Sequence, residues 1–349
     1  MKILVTGAAG FIGSKISYLL ATRGDTVVGI DNINDYYDVR MKTGRLAELG
    51  VIVPDASALP FGTCVESKTL DNFKFIRMAI DDKESLEHLF AEEHFDRVVN
   101  LAAQAGVRYS ITNPYAYLTS NITGFLNILE CCRHYPVSHL LFASSSSVYG
   151  LNSKAPFSED DKVDCPVSLY AASKKSNELM AHSYSKLYGI PATGLRYFTV
   201  YGPWGRPDMA PMLFATAISR GEPINVFNHG DMMRDFTYID DIAYGSLQCL
   251  DKPPVASECA NGVPFRVFNI GCSNPVKLMD FINEIENALG TKAQMVMKPM
   301  QPGDVYMTYA DTSHLEKEVG YKPCITLHEG IGRFIEWYRS EKNPLKIEN

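Results

Sequence analysis

The sequence has no long apolar run and no concentration of positive charge. A membrane-spanning helix needs about 20 apolar residues in succession, and no stretch of the chain reaches that length. We expect no signal peptide, because Met1 leads directly into the apolar run "KILVTG". The 33 lysines and arginines are outnumbered by 40 aspartates and glutamates, whereas a nucleic-acid surface needs a clustered basic face. We therefore expect neither a membrane nor a nucleic acid as a partner.

Metal-binding motifs are also missing. None of the eight cysteines forms a C-x-x-C pair, and the eight histidines show no H-E-x-x-H spacing, so we expect no metal site. Cysteines without a disulfide framework are typical of a reducing compartment, which predicts a cytoplasmic protein. Internal repeats and low-complexity segments are absent as well.

The first 200 residues instead alternate short apolar runs with helical patterns. The runs are rich in valine, isoleucine and leucine, as strands buried on both faces are. Strands that alternate with helices predict an α/β fold with a doubly wound parallel sheet of the Rossmann type. The predicted strands cover residues 2–6, 26–30, 73–77, 97–102, 139–144 and 192–198.

A glycine pattern follows the first predicted strand. Gly7, Gly10 and Gly13 have G-x-x-G-x-x-G spacing and open a helical pattern. Glycine lets the backbone approach a pyrophosphate, and the helix N-terminus presents free N–H groups and partial positive charge to the phosphates. A glycine-rich turn without a ligand is the alternative, but strand, turn and helix together favour a dinucleotide site.

An acidic residue, Asp31, ends the second predicted strand, 18 residues beyond Gly13. A carboxylate at this place accepts hydrogen bonds from the adenosine ribose and repels a 2′-phosphate. By itself Asp31 is equally well an ordinary turn aspartate. Together with the glycines it predicts NAD rather than NADP as the cofactor.

The segment "YAASK" places Tyr170 and Lys174 one helical turn apart on the same face. A free tyrosine has a pKa of about 10 and is a poor base at neutral pH. A nearby ammonium group and a cationic nicotinamide would both lower that pKa. A core tyrosine beside a surface lysine gives the same spacing by chance, but the position after the fifth strand of a dinucleotide fold favours a catalytic pair.

Beyond about residue 200 prolines cluster and the alternation becomes irregular. A chain of 349 residues is long enough for two interleaved units. We predict an NAD-binding Rossmann domain over residues 1–200, to which some later segments return. A smaller α/β substrate domain would follow, mainly over residues 201–341. We predict in it a strand at 265–271 and helices at 278–290 and 327–340. A frayed tail would cover residues 342–349. Residues 40–72 show no clear pattern, and a helix capped by Asn113 is predicted from Pro114.

With these motifs the chain resembles the extended short-chain dehydrogenase/reductase family, also described as NAD-dependent epimerases and dehydratases, and most closely its UDP-glucuronate 4-epimerases. The resemblance covers nearly the whole chain. The segments that carry it are "DNINDYYDVRMK", "NLAAQAGVRYS", "ASSSSVYG", "PVSLYAASKKSNELMAHSY", "GLRYFTVYGPWGRPDMA", "RDFTYIDDI" and "QPGDVYMTYAD".

The resemblance implies a reaction and a set of cofactor contacts. Tyr170 would remove the proton of the sugar's 4-hydroxyl, Ser145 would bridge that oxygen and the tyrosine, and NAD would take up and return the hydride of carbon 4. The 4-keto sugar would turn over between the two transfers. Besides the glycines, Asp31, Tyr170 and Lys174, the implied cofactor contacts are Phe11, Ile12, Asn32, Ile80, Leu101, Ala102, Ala103, Asn121 and Tyr197.

The resemblance also implies that Ser146, Ser147, Thr199 and Arg206 hold a carboxylate on carbon 6 of the sugar. Charge-assisted hydrogen bonds are directional, and they would keep the carboxylate out of line with the 4-keto group, so that carbon dioxide is not lost. The alternative is that the serines only satisfy backbone groups at a strand end. The segment "SSSSVYG" lacks the acidic residue that a 4,6-dehydratase would need.

At the nucleotide end the resemblance assigns Arg234 to the diphosphate and Asp304 to the uridine ribose. It assigns the segment 225–227 to the uracil, and it adds Arg108 as a further substrate contact; the residues of that segment are Asn225, Val226 and Phe227. Two positions depart from the pattern. Gln301 stands where relatives carry a second phosphate-binding arginine, and Ala79 stands where they carry an aspartate that binds adenine.

These assignments predict the interconversion of UDP-glucuronate and UDP-galacturonate for polysaccharide biosynthesis, by a homodimer that pairs through a four-helix bundle. Two alternatives with the same fold are a UDP-glucuronate decarboxylase, which shares the first oxidation, and an epimerase of neutral UDP-hexoses. A third is a dinucleotide-binding protein without catalysis. The presence of Ser145, Tyr170 and Lys174 counts against the third, and Arg206 favours an acidic sugar.

Overall fold

The structure, a computed structural model, describes residues 1–53, 59–301 and 304–346. The strands in these ranges are β1 (Lys2–Thr6), β2 (Thr26–Asp31), β3 (Cys64–Glu66), β4 (Phe73–Arg77), β5 (Arg97–Asn100), β6 (His139–Ser145), β7 (Ala192–Tyr197), β8 (Thr199–Tyr201), β9 (Ile224–Val226), β10 (Met233–Tyr238), β11 (Phe265–Ile270), β12 (Pro275–Lys277) and β13 (Met295–Met297). The α-helices are α1 (Phe11–Thr22), α2 (Arg40–Glu48), α3 (Lys83–Glu93), α4 (Tyr109–Thr112), α5 (Tyr115–Tyr117), α6 (Gly124–His134), α7 (Leu169–Tyr188), α8 (Ala210–Ser219), α9 (Ile239–Asp251), α10 (Leu278–Leu289), α11 (Ser313–Val319) and α12 (Leu327–Arg339).

One large sheet organises the molecule. Its strand order is β11-β7-β6-β5-β1-β2-β4-β3, and all neighbours are parallel except β3 and β4. All six predicted strands are present, with ends that shift by at most two residues. The prediction of a Rossmann-type parallel sheet is therefore confirmed.

The order of the strands also determines where a ligand binds. From β1 the chain proceeds outward through β2 and β4, and it then crosses to β5 on the other side of β1. Such a reversal leaves a crevice at the carboxyl ends of the two central strands, where doubly wound sheets bind dinucleotides. The strand beside this crevice belongs to the core, because Ile3, Leu4 and Val5 of β1 are fully buried.

The later part of the chain builds a second layer above the crevice. Here β8 and β10 are parallel, β10 and β12 are antiparallel, and β9 pairs with β13. The helices predicted over 278–290 and 327–340 are α10 and α12. The strand predicted at 265–271 is β11, which joins the edge of the large sheet beside β7. The boundary near residue 200 stays a prediction.

The helix predicted to begin at Pro114 is interrupted. A π-helical turn over Leu118–Thr123 separates α5 from α6. Asn113 does not cap the helix, because its Nδ2 donates to the hydroxyl of Tyr109 at 2.8 Å. The π turn carries Asn121, whose side chain is buried. Single π turns of this kind occur frequently at functional sites.

Two segments without a clear sequence pattern have structure. Residues 40–72 include α2 and β3, although residues 54–58 lie outside the described residues. The tail is not frayed over residues 342–346, because Asn343 is buried and its Nδ2 donates to the carbonyl oxygen of Tyr338 at 2.8 Å. Residues 347–349 of the predicted tail lie outside the described ones.

In the part of the chain that the structure describes, no helix combines the length and apolarity that crossing a membrane requires.

Candidate active site

A cavity of about 450 Å³ opens at the carboxyl ends of the central strands and continues beneath the second layer. The predicted site residues that line it are Gly7, Gly10, Phe11, Ile12, Gly13, Asp31, Asn32, Ile80, Leu101, Ala102, Ala103, Ser145, Ser146, Ser147, Tyr170, Lys174, Tyr197, Thr199, Arg206, Arg234 and Asp304. The predicted site residues that do not line it are Arg108, Asn121, Asn225, Val226 and Phe227.

The glycine turn leaves room for a pyrophosphate. Gly7 has a φ of +72°, and a Cβ at this position would lie 2.9 Å from the backbone nitrogen of Ala102. A Cβ on Gly13 would lie 2.1 Å from the carbonyl oxygen of Gly7. Helix α1 begins at Phe11 without a side-chain cap, and the residues of its first turn line the cavity. The free N–H groups of a helix N-terminus favour a bound anion. These residues fit a dinucleotide.

Asp31 is buried beside a lysine that the sequence pattern did not indicate. Its Oδ1 accepts a hydrogen bond from the backbone N–H of Ile33 at 2.8 Å. The buried Nζ of Lys42 lies 3.6 Å from the same oxygen and donates to Oδ1 of Asn34 at 2.8 Å. Asp31, Asn34 and Lys42 line the cavity. Lys42 therefore offsets part of the negative charge of Asp31.

The four consecutive serines have different roles. The hydroxyl of Ser144 is buried and donates to Oε1 of Glu178 at 2.7 Å. Oγ of Ser145 accepts hydrogen bonds from the backbone N–H and the hydroxyl of Ser147, at 3.2 and 3.0 Å. Ser145 thus satisfies a backbone group and lines the cavity at the same time, and Ser146 lines the cavity beside it.

Tyr170 lies in the same cavity wall as Ser145. Burial raises the pKa of Tyr170, while a hydrogen bond with Ser145 and the positive charge of Arg206 oppose that rise. Lys174 was expected to lower the pKa of this tyrosine. Its Nζ instead donates to the carbonyl oxygen of Ala143 at 2.9 Å, and burial lowers the pKa of Lys174 to about 8. The positive charge of Arg206 therefore favours the phenolate of Tyr170.

Arg206 has two polar neighbours that the sequence analysis did not single out. Its Nε and Nη2 donate to Oδ1 and Oδ2 of Asp208, at 3.0 and 2.5 Å. The hydroxyl of Tyr36 donates to Oδ2 of Asp208 at 3.0 Å. Burial alone would lower the pKa of Arg206, but the paired Asp208 carboxylate raises it above its ordinary value. The only sequence signal for Asp208 was its position two residues after Arg206.

The residues assigned to the nucleotide end come together from distant parts of the chain. Nη2 of Arg108 lies 3.2 Å from Oδ2 of Asp304, and its guanidinium lies 5.5 Å from the ring centroid of Phe227. Arg234 lines the cavity, and its Nη1 donates to the carbonyl oxygen of Tyr306 at 3.0 Å. Burial lowers the pKa of Arg234.

The other two residues of the 225–227 segment point in opposite directions. Asn225 is exposed, whereas the side chain of Val226 is fully buried in the core of the second layer. Residues Pro302 and Gly303 of the "QPGD" segment lie outside the described residues. The assignment of this region to a uracil stays a prediction.

Asn121 contacts the protein rather than the cavity. Its Oδ1 accepts from the backbone N–H of Gln104 at 2.8 Å, and its Nδ2 donates to Oγ of Ser173 at 2.9 Å. The hydroxyl of Ser173 in turn donates to the carbonyl oxygen of Tyr170 at 2.8 Å. Asn121 therefore connects the wall at Gln104, which lines the cavity, to the helix turn of Tyr170.

Arg45 is a further residue that the sequence analysis missed. Its side chain is buried and donates to the carbonyl oxygen of Trp204 at 2.8 and 3.1 Å and to that of Ala9 at 3.1 Å. It therefore ties the glycine turn to the segment that carries Arg206. Within the described ranges, no group of three or more histidine, cysteine or acidic side chains is arranged to hold a metal ion.

Solved structures of known proteins are similar to this chain over nearly its whole length. A crystal structure of UDP-glucuronic acid 4-epimerase from Bacillus cereus, in complex with UDP-glucuronic acid and NAD, is similar with a TM-score of 0.83 and 35% identity, over 97% of this chain and 98% of that chain. A UDP-glucose 4-epimerase from Thermotoga maritima with UDP-glucose is similar with a TM-score of 0.80 and 28% identity, over 97% and 99% of the two chains.

Sequence relatives give the family. A probable UDP-glucuronate 4-epimerase from Rhizobium meliloti (strain 1021) is 44% identical over 348 residues, which are 97% of this chain and 97% of that protein. The model of the NAD dependent epimerase/dehydratase family matches residues 3–271. Because the family model covers more than half of the chain and this relative aligns along nearly all of it, the protein belongs to the NAD dependent epimerase/dehydratase family.

Proposed function

We propose that this protein is an NAD-dependent UDP-glucuronate 4-epimerase that interconverts UDP-glucuronate and UDP-galacturonate. The observation that carries the proposal is one cavity lined by a tyrosine–serine pair, an arginine and several small hydroxyls. Relatives named UDP-glucuronate 4-epimerase align along nearly the whole chain, and a similar structure is a complex with UDP-glucuronic acid and NAD.

Two hydroxyl groups of the cavity are proposed to move the proton. Tyr170 is the proposed base for the 4-hydroxyl of the sugar, and Ser145 is the proposed bridge between that oxygen and Tyr170. The positive charge of Arg206 and the hydrogen bond from Ser145 both lower the pKa of Tyr170, against the effect of burial. Both groups thus act in the direction that a general base requires.

The glycine turn, Asp31 and the first turn of α1 are the proposed binding site of NAD, with the residues of β2 and β5 at its sides. When it is bound, NAD supplies hydride acceptance and return at carbon 4. Because one turnover would consume and restore the same cofactor, we expect it to stay bound. Asp31 is proposed to hold the adenosine ribose, and Lys174 to reach the ribose beside the nicotinamide.

An acidic sugar is favoured over a neutral one by the composition of the cavity near Tyr170. Arg206 supplies a guanidinium there, and Ser146, Ser147 and Thr199 line the same cavity. A neutral hexose has no negative group to match this cation. The set of donors is proposed to hold the sugar carboxylate and to keep it from aligning with a 4-keto group, which opposes decarboxylation.

Incubation of the purified protein with UDP-glucuronate, followed by chromatographic separation of the nucleotide sugars, tests the proposal. UDP-galacturonate is the expected product. UDP-pentose with release of carbon dioxide would instead identify a decarboxylase, and no product would refute catalysis on this substrate. Denaturation of the same preparation should release NAD rather than NADP. Equal incubation with UDP-glucose should give much less product, and faster turnover of UDP-glucose would point to a neutral-sugar epimerase.

We further propose that two copies form a homodimer through α7 and the helical segment that ends with α6. These helices expose large apolar side chains, including Leu126, Leu179 and Leu187, which is more apolar surface than a solvated helix face needs. A cytoplasmic location and a role in polysaccharide biosynthesis remain part of the proposal. The eight free cysteines are compatible with a reducing compartment.

A further inference from the structure

We propose that Asp208 is a positioning residue that orients Arg206 toward an acidic sugar and so contributes to substrate choice. The proposal rests on the proposed function, because it requires a carboxylate on the substrate. It assigns a role to an aspartate that does not line the cavity and that acts through the arginine beside it.

The contact between the two side chains uses one defined edge of the guanidinium. Asp208 accepts from Nε at 3.0 Å and from Nη2 at 2.5 Å, so it occupies the edge formed by these two nitrogens. A guanidinium has five N–H donors in a planar fork. The remaining edge, formed by Nη1 and Nη2, matches a second carboxylate in a bidentate arrangement. Arg206 can therefore bind a substrate carboxylate while Asp208 stays in place.

Asp208 is itself held in place by Tyr36. The tyrosine hydroxyl donates to Oδ2 of Asp208 at 3.0 Å, and the guanidinium of Arg206 lies 5.7 Å from the ring centroid of Tyr36. The ring packs against Tyr109 with centroids 4.8 Å apart. Gly106 is required on this side, because a Cβ there would lie 2.5 Å from the hydroxyl oxygen of Tyr36.

The backbone that carries the pair is anchored at its other end. Trp204 has a φ of 64°, a conformation that bulky residues rarely adopt. The buried guanidinium of Arg45 holds its carbonyl oxygen through two hydrogen bonds. Gly44 leaves space for the indole, since a Cβ on Gly44 would lie 2.6 Å from that ring. The segment from Trp204 to Asp208 is thus fixed before substrate arrives.

Asp208 could either compete with the substrate or position Arg206, and the two roles predict opposite effects of its removal. It neutralises Arg206, so a bound uronate would bring the net charge of the three groups to −1. If Asp208 only competed with the substrate, its removal would tighten the binding of UDP-glucuronate. If it positions Arg206, its removal lets the guanidinium adopt other rotamers and weakens that binding. The geometry favours positioning, because the two carboxylates would use different edges of the fork.

The pair is suited to substitution. The side chains of Arg206 and Asp208 are 21% and 31% exposed, so a variant that breaks the pair leaves both groups in partial contact with water. Asp208→Asn keeps the shape and removes the charge, and Asp208→Glu keeps the charge. Tyr36→Phe removes only the hydrogen bond that fixes the carboxylate. All three variants are expected to fold.

The experiment measures the Kd of UDP-glucuronate and of UDP-glucose by titration calorimetry on the NAD-loaded protein, together with KM, kcat and the fraction of UDP-pentose formed. We expect Asp208→Asn to weaken the binding of UDP-glucuronate roughly tenfold, within the range of a lost charge-assisted hydrogen bond. The Kd of UDP-glucose should change less than about twofold, because it does not use this cation. Asp208→Glu should restore part of the loss, and Tyr36→Phe should act in the same direction as Asp208→Asn with a smaller effect. The pentose fraction should rise with each loss.

Three outcomes would overturn the proposal. Tighter binding of UDP-glucuronate by Asp208→Asn would show that Asp208 competes with the substrate. Equal weakening for both sugars would show a general structural role, and unchanged binding of both would show no role. Arg206→Ala serves as the reference for complete loss of the cation. Failure of the proposed function would look different, because the unaltered protein would then form no UDP-galacturonate and would not prefer UDP-glucuronate over UDP-glucose in binding.

Discussion

Tyr170 and Lys174 lie one turn apart on α7, and burial moves their pKa values in opposite directions. Burial raises the pKa of Tyr170 and lowers that of Lys174 to about 8. In both cases a group taken out of water favours its neutral form. Arg206 and Ser145 counteract this effect on the tyrosine, so the arrangement of a few side chains determines how readily Tyr170 gives up its proton.

Tyr170→Phe tests the proposed base. The substitution removes the hydroxyl and keeps the ring, so we expect turnover of UDP-glucuronate to fall roughly 10²- to 10⁴-fold, as for the loss of a general base. The variant should still retain most of its NAD, because the glycine turn and Asp31 are unchanged. Tyr244→Phe, at a tyrosine that is 57% exposed on α9, is the matched control. Nearly normal turnover of Tyr170→Phe would mean that another residue accepts the proton.

Lys174→Met tests the buried ammonium through the pH dependence of stability. The folded-state pKa of about 8 lies below the value of about 10.4 expected for an unfolded chain. Between these pH values the unfolded chain binds more protons, so the free energy of unfolding rises with pH. Urea unfolding measures this free energy at about pH 7 and about pH 9.5. From the lower to the higher pH, the free energy of unfolding of the native protein should rise by roughly 2 kcal/mol relative to that of the variant.

Lys186→Met is the control for this measurement, because Lys186 is exposed and belongs to the same helix. The change in the free energy of unfolding that Lys186→Met causes is the reference value at each pH. A stability difference between the native protein and Lys174→Met that does not change with pH would contradict the lowered pKa of Lys174.

At the scale of elements, a buried ion pair connects α7 to the large sheet. Nε and Nη2 of Arg196 on β7 donate to the two carboxylate oxygens of Glu178 on α7, at 2.8 and 2.9 Å. Ser144 donates to the same carboxylate, and Nη1 of Arg196 donates to the hydroxyl of Tyr149 at 3.0 Å. Burial would raise the pKa of Glu178, but Arg196 lowers it overall. This network fixes the serine stretch against the helix that carries Tyr170.

Glu178→Gln should reduce the free energy of unfolding by about 3–5 kcal/mol, because it leaves a buried guanidinium without its counter-charge. Arg196→Met should reduce it less, because Nζ of Lys175 still lies 3.2 Å from Oε2 of Glu178. The double variant should lose less than the sum of the two, since the partners are coupled. Urea denaturation measures all three, and activity of the folded fraction reports the position of α7.

A solvent-exposed pair provides the comparison for these variants. Lys342 and Glu48 lie 3.0 Å apart with 63% and 43% of their side chains exposed. Lys342→Met should therefore leave the unfolding curve unchanged. If Glu178→Gln changed the free energy of unfolding as little as this control, the buried pair would not hold α7 in place.

At the scale of the whole molecule, two features extend beyond the cavity. The second layer closes over the large sheet through contacts such as Arg108 with Asp304, which are far apart in the chain. On the outer side, α7 exposes Leu179 and Leu187 to 60% and 67%. Their exposure leaves apolar surface that a partner copy would cover.

Light scattering at micromolar concentration should give the mass of a dimer. Leu179→Glu combined with Leu187→Glu should shift the protein toward the monomer, because the interface would bury unpaired charges. Leu151→Glu, at a leucine that is 72% exposed outside these helices, should leave the mass unchanged. A monomeric native protein would rule out the proposed assembly.

The agreement between sequence and structure is best where information is local. Each strand of the parallel sheet is encoded by a short apolar run, and the glycine turn by spacing within ten residues, so both were predictable. The helix after Asn113 was predicted less well. Its sequence has helical periodicity, but the structure has a π turn whose Asn121 contacts Gln104 and Ser173. Periodicity carries no information about such contacts.

The sequence by itself therefore determined the α/β fold, the dinucleotide turn, the acid after β2 and the Tyr170–Lys174 pair, because each depends on neighbours along the chain. Only the tertiary structure decided that Ser144 turns to Glu178, that Lys174 binds Ala143, and that Arg206 is oriented by Asp208 and Tyr36. Most of these contacts join residues that are distant in sequence, and their geometry follows from how the helices and loops pack on the sheet.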